Sequence, residues 1–329
     1  MKVILPVAGF GSRLRPHTLF KSKPLLHVAG SNILAKILDQ LQDLDISEYI
    51  FVTGYKAEQI EDFVKTRNIN ARCVLQSNPQ GLGEAIHLCT PYLNDDEPVL
   101  IILGDTLFEA DLKSITESTK NVLCTRWVED PSRFGVAVID ENNVISKLVE
   151  KPSTPISHQA IVGIYWINNT QQFKTELNYL IENDVRTRGE YQLTDALARM
   201  LESGAPFLSA EIKEWLDCGK AETWLTTNAH VLKTDAHNHS SMTVTNSQII
   251  EPCYIGKNAI ISHSIIGPNV TILDNCTIQH SQISDSILDT DTLISHSQLN
   301  NSLIGDHSQI QDTIGIVNCG CYSEITGTK

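Results

Sequence analysis

Residues 6–24 read PVAGFGSRLRPHTLFKSKP and directly follow an apolar, strand-like run at Val3–Val7. Such a run is typical of a buried strand in an α/β sheet, where ligands bind beyond the carboxyl ends of the strands. Gly9 and Gly11 let the chain turn sharply and bring backbone N–H groups close to an anion. The stretch therefore predicts an α/β domain with a phosphate-binding loop after its first strand.

Two common glycine-rich loops do not fit this stretch. A dinucleotide-binding loop would have a third glycine where Leu14 stands, and a P-loop would continue with Gly-Lys-Ser or Gly-Lys-Thr. What is present instead is Gly-x-Gly-Ser-Arg, then Arg15-Pro16 and Lys23-Pro24. A Gly-x-Gly turn alone is as often structural as functional, so its surroundings must decide.

The charges around the loop favour phosphate binding. The first acidic residue of the chain is Asp39, and six basic residues precede it: Lys2, Arg13, Arg15, Lys21, Lys23 and Lys36. The whole chain of 329 residues nevertheless has a formal net charge of −14, which argues against binding to DNA or RNA. A basic segment in an acidic chain suits a small polyanion better than a polymer.

Composition limits the class of protein further. No apolar run approaches the ~20 residues that cross a bilayer, and no secretory signal is visible at Met1–Pro6. The eight cysteines are scattered without a C-x-x-C pair, as expected for reduced thiols. We therefore expect a cytoplasmic protein that binds neither nucleic acid nor membranes.

Outward from the loop, short apolar runs alternate with amphipathic segments as far as Leu232. The predicted strands are Val3–Val7, Tyr49–Thr53, Ala71–Leu75 and Val99–Leu103, and the predicted helices are Ile33–Leu44, Ala57–Lys65 and Gly81–Cys89. This alternation indicates a Rossmann-like, mainly parallel sheet covered by helices on both faces. Residues 1–232 are therefore predicted to form the catalytic domain.

The pattern changes after Leu232. Residues 233–242 (KTDAHNHSSM) are polar and predict a linker. In residues 243–329, aliphatic and β-branched residues recur every five to seven positions. A longer repeat brings back a polar pair at nearly constant intervals, at Asn246-Ser247, His263-Ser264, His280-Ser281 and His296-Ser297. These two periods together predict a hexapeptide-repeat, left-handed parallel β-helix.

Residues 6–24 resemble the signature loop of the sugar-1-phosphate nucleotidyltransferases, which include the glucose-1-phosphate thymidylyltransferases and uridylyltransferases. Further segments resemble the same family in the same order: Gln76–Ala85, Gly104–Thr106, Phe134–Val136, Glu150–Pro152, Val162–Tyr165 and Trp215–Gly219. The family also commonly carries a C-terminal left-handed β-helix. One such segment would be weak evidence, whereas the ordered set is specific.

The resemblance implies a reaction and a set of site residues. A sugar 1-phosphate oxygen would attack the α-phosphorus of a nucleoside triphosphate, with Mg²⁺ as cofactor and pyrophosphate as leaving group. The implied catalytic residues are Arg13, Lys23, Asp105 and Asp217, the last two also being the metal ligands. The implied nucleotide-binding residues are Ala8, Gly9, Gly11, Ser12, Arg13, Gln76 and Gly81. The implied sugar-phosphate-binding residues are Gly135, Glu150, Lys151 and Val162.

The residue types suit this chemistry. The attacking phosphate is already an anion, so the protein must align two polyanions and offset their charge. Arg13 offers a rigid fork and Lys23 a mobile point charge. The carboxylates of Asp105 and Asp217 are hard oxygen donors that suit Mg²⁺. Lys151 would meet the sugar phosphate.

Structural roles for the same residues have to be weighed. Asp105 alone would as readily cap an element, Asp217 would occupy a buried turn, and Glu150-Lys151 would be a surface ion pair. Their occurrence together with the basic loop favours the functional interpretation. Glu190 and Asp195 also fit a family segment, and we expect them to cap a helix and support the site.

Specificity is less well determined. The Gln76 carboxamide beside Gly81 would complement the imide of uracil or thymine, which favours UTP or dTTP without choosing between them. Glucose 1-phosphate is implied by the family alone. A guanylyltransferase, a bifunctional enzyme that also transfers acetyl groups, and a catalytically silent regulatory paralogue are the alternatives. We expect the β-helix to serve homo-oligomer assembly or regulation, and truncation after Leu232 should change assembly more than chemistry.

Overall fold

The computed structural model describes residues 1–234 and 241–327, which divide into two compact units. The first unit comprises Met1–Gly9 and Leu38–Trp215. The second comprises Phe10–Ile37 together with the described residues from Leu216 onward. Most of the basic loop thus belongs with the C-terminal part of the chain, although it follows the first strand in sequence.

The elements before the β-helix follow the predicted alternation. The strands are β1 (Lys2–Pro6), β2 (His27–Val28), β3 (Ser31–Asn32), β4 (Glu48–Thr53), β5 (Ala71–Leu75), β6 (Val99–Ile102), β7 (Thr106–Glu109), β8 (Asn121–Trp127), β9 (Gly135–Ile139), β10 (Ile145–Glu150), β11 (Gln159–Ile167), β12 (Phe207–Glu211) and β13 (Glu214–Asp217). The helices are α1 (Ile33–Asp39), α2 (Ala57–Lys65), α3 (Leu82–His87), α4 (Leu112–Thr116), α5 (Thr170–Glu182), α6 (Leu193–Glu202) and α7 (Ala221–Thr234). Short 3₁₀ helices lie at Ser12–Leu14, His17–Leu19, Lys23–Leu25 and Thr90–Tyr92.

Most predicted elements are confirmed within a few residues. The helix predicted over Ile33–Leu44 is the exception, because α1 ends at Asp39. Beyond it, Leu41 N donates to Leu38 O and Leu44 N donates to Leu41 O. These bonds join residues three positions apart, as in a 3₁₀ turn. The helical spacing of apolar residues in the sequence therefore continues beyond the end of α1.

The first unit is built on a nine-stranded sheet. Seven strands follow the order β10-β9-β11-β6-β1-β4-β5, with β8 paired to β11 and β12 paired to β8. Strand β1 runs parallel to β4 and β6, and β4 runs parallel to β5. The α/β, Rossmann-like class is confirmed, and an antiparallel part is added by β9, β10 and β11. The tight turn Asp140–Val144 makes β9 and β10 a hairpin, which forces antiparallel pairing.

Strand β1 lies inside the sheet, between β6 and β4, and its apolar residues suit that position. Val3, Ile4 and Leu5 are all fully buried, so both faces of the strand are covered. The face that carries Ile4 packs into a core with residues of α3, α5 and α6, including Phe173 and Leu197. The carboxyl end of this central strand leads directly into the candidate loop.

The second unit contains a three-sided parallel β-helix. Its strands are β14 (Thr243–Thr245), β15 (Gln248–Ile249), β16 (Cys253–Ile255), β17 (Ile260–Ser262), β18 (Ile265–Ile266), β19 (Val270–Ile272), β20 (Thr277–Gln279), β21 (Gln282–Ser284), β22 (Ile287–Leu288), β23 (Leu293–Ser295), β24 (Gln298–Asn300), β25 (Leu303–Ile304), β26 (Gln309–Gln311), β27 (Ile314–Gly315), β28 (Asn318–Cys319) and β29 (Glu324–Thr326). The expectation of a left-handed β-helix after the α/β domain is confirmed.

The coils of the β-helix shorten toward its C-terminal end. Along the side from β14 to β29, the paired positions are Thr243, Ile260, Thr277, Leu293, Gln309 and Glu324. Successive positions are separated by 17, 17, 16, 16 and 15 residues, whereas three full hexapeptides would have about 18. The corners of the coils therefore absorb the missing residues, while the strands keep their pairing.

A serine ladder joins successive coils at the corner after β17. Ser281 N donates to Ser264 Oγ at 3.1 Å, and Ser297 N donates to Ser281 Oγ at 3.1 Å. The preceding histidines stack outside the ladder, with 4.7 Å between the ring centroids of His263 and His280 and 5.0 Å between those of His280 and His296. The repeated His-Ser pair therefore has a structural explanation.

The predicted linker is only partly described. Helix α7 continues to Thr234, and β14 begins at Thr243. Residues 235–240 lie outside the described part of the chain. The domain boundaries at 232 and 243 therefore stay predictions.

Candidate active site

Backbone contacts hold the strand ends together in the first unit. Gly104 N donates to Pro6 O at 3.3 Å, and a Cβ on Gly104 would lie 2.4 Å from Val7 Cγ1. Similarly, a Cβ on Gly54 would lie 2.8 Å from the Cβ of Ala8. A side chain at either position would clash with Val7 or Ala8 unless the neighbouring strand ends shifted, which explains the close packing at these glycines. Ala8 itself is buried.

Open space surrounds the next residue of the loop. A Cβ added to Gly9 would meet no heavy atom within 4 Å. Contacts within the protein therefore do not explain why this position is a glycine. The space leaves room for a ligand to approach the backbone here.

Asp105 follows this junction at the end of β6. It is half-buried, and Thr106 Oγ1 donates to its Oδ1 at 3.2 Å. Burial, with contributions from the Glu150 and Asp105 carboxylates, raises the pKa of Tyr165 well above its usual value. The hydroxyl of Tyr165 thus lies within electrostatic range of two predicted site carboxylates.

Val162 lies close in sequence to a second backbone junction. Leu103 N donates to Gly163 O at 2.9 Å, and Gly163 has a φ of +83°. The register between β11 and β8 shifts between Ile161 and Tyr165. The irregular part of β11 therefore lies beside the segment that ends in Asp105, with Val162 buried within it.

The predicted base-binding segment is tied to the residues before α6. A Cβ on Gly81 would lie 2.4 Å from Tyr191 O, and the φ of Gly81 is +122°. Gly83 N donates to Tyr191 O at 2.8 Å, and Tyr191 N donates to Gln80 O at 2.8 Å. Gln76 is buried, and its Nε2 donates to Glu84 Oε2 and, at 3.4 Å, to Gly81 O. These contacts fix the carboxamide orientation.

The predicted sugar-phosphate residues form a cluster. A Cβ on Gly135 would lie 2.7 Å from Thr194 Oγ1 and 2.9 Å from Glu150 Oε2, so both oxygens flank this glycine. Lys151 Nζ lies 3.1 Å from Glu150 Oε1. Lys151 has a φ of +44°, and its carbonyl accepts from Arg188 Nη2 at 2.8 Å. The structure thus brings Gly135, Glu150 and Lys151 together.

Asp195 borders this cluster from the first turn of α6. Burial raises the pKa of its carboxyl, and the negative charge of Glu150 adds to the increase, while Thr187 and Lys151 oppose it. Its Oδ2 is buried without a hydrogen-bond partner among the described residues. The supporting role of Asp195 stays a prediction, and the described N-terminus of α6 has no side-chain capping bond.

In the second unit, the basic loop folds back on itself. Gly11 adopts a left-handed conformation with a φ of +60°, and its carbonyl accepts from Thr18 Oγ1 at 2.9 Å. A Cβ on Gly11 would lie 2.9 Å from Thr18 Cγ2 and 3.1 Å from the Cβ of Lys23. Lys23 is buried, whereas Ser12 and Arg13 are exposed. The loop thus packs its lysine beneath Gly11 and presents its arginine outward.

Arg13 and Asp217 approach each other across Gly219. A Cβ on Gly219 would lie 2.8 Å from Asp217 Oδ1 and 3.1 Å from Arg13 Nη2. Asp217 Oδ2 also accepts from Thr223 Oγ1 at 3.3 Å, and Asp217 O accepts from Thr227 Oγ1 at 3.1 Å. The start of α7 therefore orients Asp217, which is half-buried.

The predicted site residues occur in both units of the chain. The first holds Ala8, Gly9, Gln76, Gly81, Asp105, Gly135, Glu150, Lys151 and Val162, and the second holds Gly11, Ser12, Arg13, Lys23 and Asp217. Within the described ranges, no group of three or more His, Cys, Asp or Glu side chains is arranged to hold a metal ion by itself.

Sequence reasoning missed two residues that shape the site. Glu84 holds the Gln76 amide, and Thr194 flanks Gly135 beside Glu150. In the sequence, Glu84 looks like an ordinary acidic residue in the first turn of a helix, where negative charge is favourable. Nothing in the sequence indicates its contact with Gln76. No local pattern distinguished Thr194, because its contact depends on the pairing of α6 with the sheet.

Comparisons with known proteins identify the family. The profile of the family described as nucleotidyl transferase matches residues 2–234. A glucose-1-phosphate thymidylyltransferase from Streptomyces antibioticus is 30% identical over 321 residues, covering 88% of this chain and 87% of its own. The chain therefore belongs to the sugar-1-phosphate nucleotidyltransferase family.

Two further relatives differ in length. The bifunctional protein GlmU of Methanocaldococcus jannaschii is 33% identical over 233 residues, covering 70% of this chain and 54% of that protein. The chain thus matches about half of that relative. A solved structure from Bacillus anthracis, assigned as a glucose-1-phosphate thymidylyltransferase in complex with sucrose, has a TM-score of 0.58 and 26% identity, covering 70% of this chain and 94% of that one.

Among the described residues, no helix has the length and apolar character needed to cross a membrane.

Proposed function

We propose that this protein transfers a nucleotidyl group from dTTP or UTP to a sugar 1-phosphate, with glucose 1-phosphate as the expected acceptor. The products would be the nucleoside diphosphate sugar and pyrophosphate. The observation that carries the proposal is the junction at Gly104, which ties the start of the glycine-rich loop to the segment carrying Asp105. Phosphate-binding backbone and a candidate metal ligand thus arise from adjacent strand ends.

The loop residues supply positive charge for the triphosphate. Arg13 is exposed and offers a fork of N–H donors, which suits phosphate oxygens. Lys23 is held close to Gly11 and supplies a compact charge. Because the attacking sugar phosphate is already anionic, alignment and charge stabilisation take the place of a general base.

The types of the proposed ligands suit Mg²⁺ as the cofactor. Asp105 and Asp217 are half-buried carboxylates, and Mg²⁺ in phosphate-transfer sites is commonly held by one or two carboxylates together with substrate phosphates and water. When bound, the ion would neutralise charge on the transferring phosphate. The bond from Thr223 to Asp217 orients one of these carboxylates.

Base and sugar are read by separate parts of the first unit. The Gln76 Oε1 is left to accept a hydrogen bond from a base, since its amide nitrogen donates to Glu84 and Gly81. Uracil and thymine present a suitable N–H. Glu150 would accept from sugar hydroxyls, and Lys151 would meet the sugar phosphate once it leaves Glu150.

A pyrophosphate-release screen tests the proposed reaction. UTP, dTTP, CTP, GTP and ATP would each be paired with the 1-phosphates of glucose, galactose, mannose and N-acetylglucosamine. We expect the highest kcat/KM with UTP or dTTP and glucose 1-phosphate. A preference for GTP with mannose 1-phosphate would replace this proposal with a guanylyltransferase, and no release with any pair would favour a regulatory paralogue.

The metal ligands have their own test. Asp105→Asn and Asp217→Asn should each lower Mg²⁺-dependent turnover by roughly 10³-fold or more, because each removes a charged oxygen donor. Thermal unfolding should change little, since both carboxylates are partly exposed. Asp62→Asn, on the exposed face of α2, is the matched control. Turnover near the wild-type rate in both variants, with the same response to EDTA, would contradict the metal assignment.

A further inference from the structure

A carboxylate of the β-helix binds the basic loop. Asp289 directly follows β22, and its Oδ2 lies 2.6 Å from the Nζ of Lys21. The two side chains are only 16% and 21% exposed, so solvent screens the pair weakly. Both residues belong to the second unit.

The surroundings leave Lys21 as the main countercharge of Asp289. His27 Nδ1 is 3.8 Å from Asp289 Oδ1, too far for a hydrogen bond, and is buried without a partner in the described structure. Burial lowers the pKa of His27 to about 4, so this ring is neutral near neutral pH. Although burial alone would raise the pKa of Asp289, the charge of Lys21 brings it below its usual value.

Other contacts hold the same loop against the β-helix. His17 Nε2 lies within hydrogen-bond distance of Asn318 Oδ1, at 2.8 Å, and the His17 ring lies edge-on to Trp224 with 5.3 Å between centroids. A Cβ on Gly320 would lie 3.1 Å from the Cβ of Pro16. The β-helix thus contacts the loop at several points between its glycines and its lysines.

The held segment is short and continuous with the proposed catalytic lysine. Lys21 N donates to His17 O at 3.3 Å, and Leu25 N donates to Ser22 O at 2.9 Å. Lys23 lies within the second of these turns and packs beneath Gly11. A displacement of Lys21 would therefore be transmitted to Lys23 and to the turn at Gly11.

We propose that Asp289 is a positioning residue for the nucleotide-binding loop, acting through its ion pair with Lys21. The β-helix is then part of the catalytic apparatus, in contrast to the expectation that truncation would alter assembly more than chemistry. This inference rests on the proposed function, because it assigns Asp289 a role in nucleotidyl transfer. A displacement of about 1 Å at a catalytic group commonly costs about 10²-fold in rate, so the effect is measurable.

The test compares full-length variants by two readouts. In Asp289→Asn, amide hydrogen exchange of residues 10–26 should accelerate without substrate, the KM for the nucleotide should rise, and kcat/KM should fall at least about tenfold. Asp291→Asn is the matched control, because Asp291 lies close by in sequence, is 40% exposed and faces His307 at 3.8 Å. It should match the wild type in both readouts.

A double variant separates positioning from direct contact. Asp289→Leu with Lys21→Met replaces both charges by apolar groups, a change that is often neutral or stabilising for a buried ion pair. In this double variant, kcat/KM should return to within about threefold of the wild-type value. A folded double variant that stays as slow as Asp289→Asn would show that the unpaired charge is not the cause of the slow reaction and would overturn the proposal. Simple unfolding would lower the active fraction at unchanged KM. If Asp289→Asn does not fold, Lys21→Met removes the other charge of the pair and serves in the same comparison.

The outcomes also separate this inference from the proposed function. Normal exchange and kinetics in Asp289→Asn, with an active wild type, would overturn the positioning role alone. If the wild type released no pyrophosphate with any substrate pair, the proposed function and the catalytic role of Asp289 would both fail. Exchange in Asp289→Asn would then show whether the ion pair holds the loop in place.

Discussion

Gln76 illustrates how a neighbouring charge sets the chemistry of a neutral side chain. The Gln76 amide nitrogen donates to the Glu84 carboxylate, which cannot donate in return. A rotation of the carboxamide by half a turn would place two acceptors together, so one orientation is strongly favoured. In the proposed reaction, the side chain would therefore offer an acceptor to the base.

Replacing Glu84 by glutamine should weaken base discrimination. Because the amide introduced in Glu84→Gln can donate as well as accept, the Gln76 carboxamide could adopt both orientations. We expect the ratio of kcat/KM for UTP or dTTP to that for CTP to fall about tenfold, or ~1.4 kcal/mol.

The control for this prediction is Glu202→Gln, an exposed change at the end of α6. Substrate competition in pyrophosphate release measures the ratio directly. An unchanged ratio in Glu84→Gln would contradict the orienting role of Glu84.

Individual residues differed in how far the sequence could predict them. Gln76 and Gly81 belong to one short segment, so their proximity followed from chain connectivity. Gly104 was visible only as part of a Gly-Asp turn, and its close approach to Val7 depends on the pairing of β6 with β1. Glu84 could not be identified because the turn geometry that points it back toward Gln76 has no local signature.

At the scale of elements, the serine ladder links the coils of the β-helix. Each ladder hydroxyl accepts from a backbone N–H of the next coil and donates within its own coil, as Ser281 Oγ does to Gln279 O at 2.7 Å. Such a hydroxyl satisfies a buried backbone group at a corner, where no strand pairing is available. The ladder thus sets the register of each corner.

Ser281→Ala should therefore destabilise the β-helix. The Ser297 N–H would lose its buried acceptor, at a cost of about 1–3 kcal/mol in the free energy of unfolding. Urea denaturation measures this change, and Gln282→Ala, at the exposed neighbouring position, is the control. Equal free energies of unfolding in the two variants would argue against the ladder as a stabilising feature.

The sequence predicted elements better than their pairing. The recurring His-Ser pair revealed the coils because each coil repeats the same corner. The antiparallel part of the main sheet was not visible, since a buried strand such as β11 has the same apolar pattern in either direction. Strand direction depends on connections that propensity does not encode.

For the whole molecule, buried histidines predict a dependence of stability on pH. Burial lowers the pKa of His27 to about 4, below the usual value of 6.5, and burial also lowers the pKa of His17. The unfolded chain thus binds more protons in this range, so stability is fully present above pH 6.5 and is lost as pH falls toward 4. The contribution of His27 amounts to up to about 3 kcal/mol.

Urea denaturation at pH 7, 6 and 5 measures this dependence. His27→Asn should flatten the curve, because asparagine has no proton to gain, while His158→Asn, at an exposed site, should leave the slope unchanged. Equal slopes for the wild type and His27→Asn would mean that His27 does not govern acid sensitivity.

The division of the chain into two compact units could not be predicted in full from the sequence. Composition changes after Leu232, and the first described strand of the β-helix begins at Thr243. The grouping of Phe10–Ile37 with the C-terminal residues could not be predicted, because its contacts join distant positions. The loop resembled its family strongly as a segment, but a segment does not reveal what supports it.

The pairing of Lys21 with Asp289 has a consequence for biosynthesis. The two residues are 268 positions apart, and at about 5–20 residues per second a ribosome needs on the order of tens of seconds to make the intervening chain. During that interval the basic loop has emerged without the carboxylate that later neutralises it. The nascent protein would therefore carry an uncovered cationic segment until the third coil is complete, and the proposed site would become competent only after Asp289 has been synthesised.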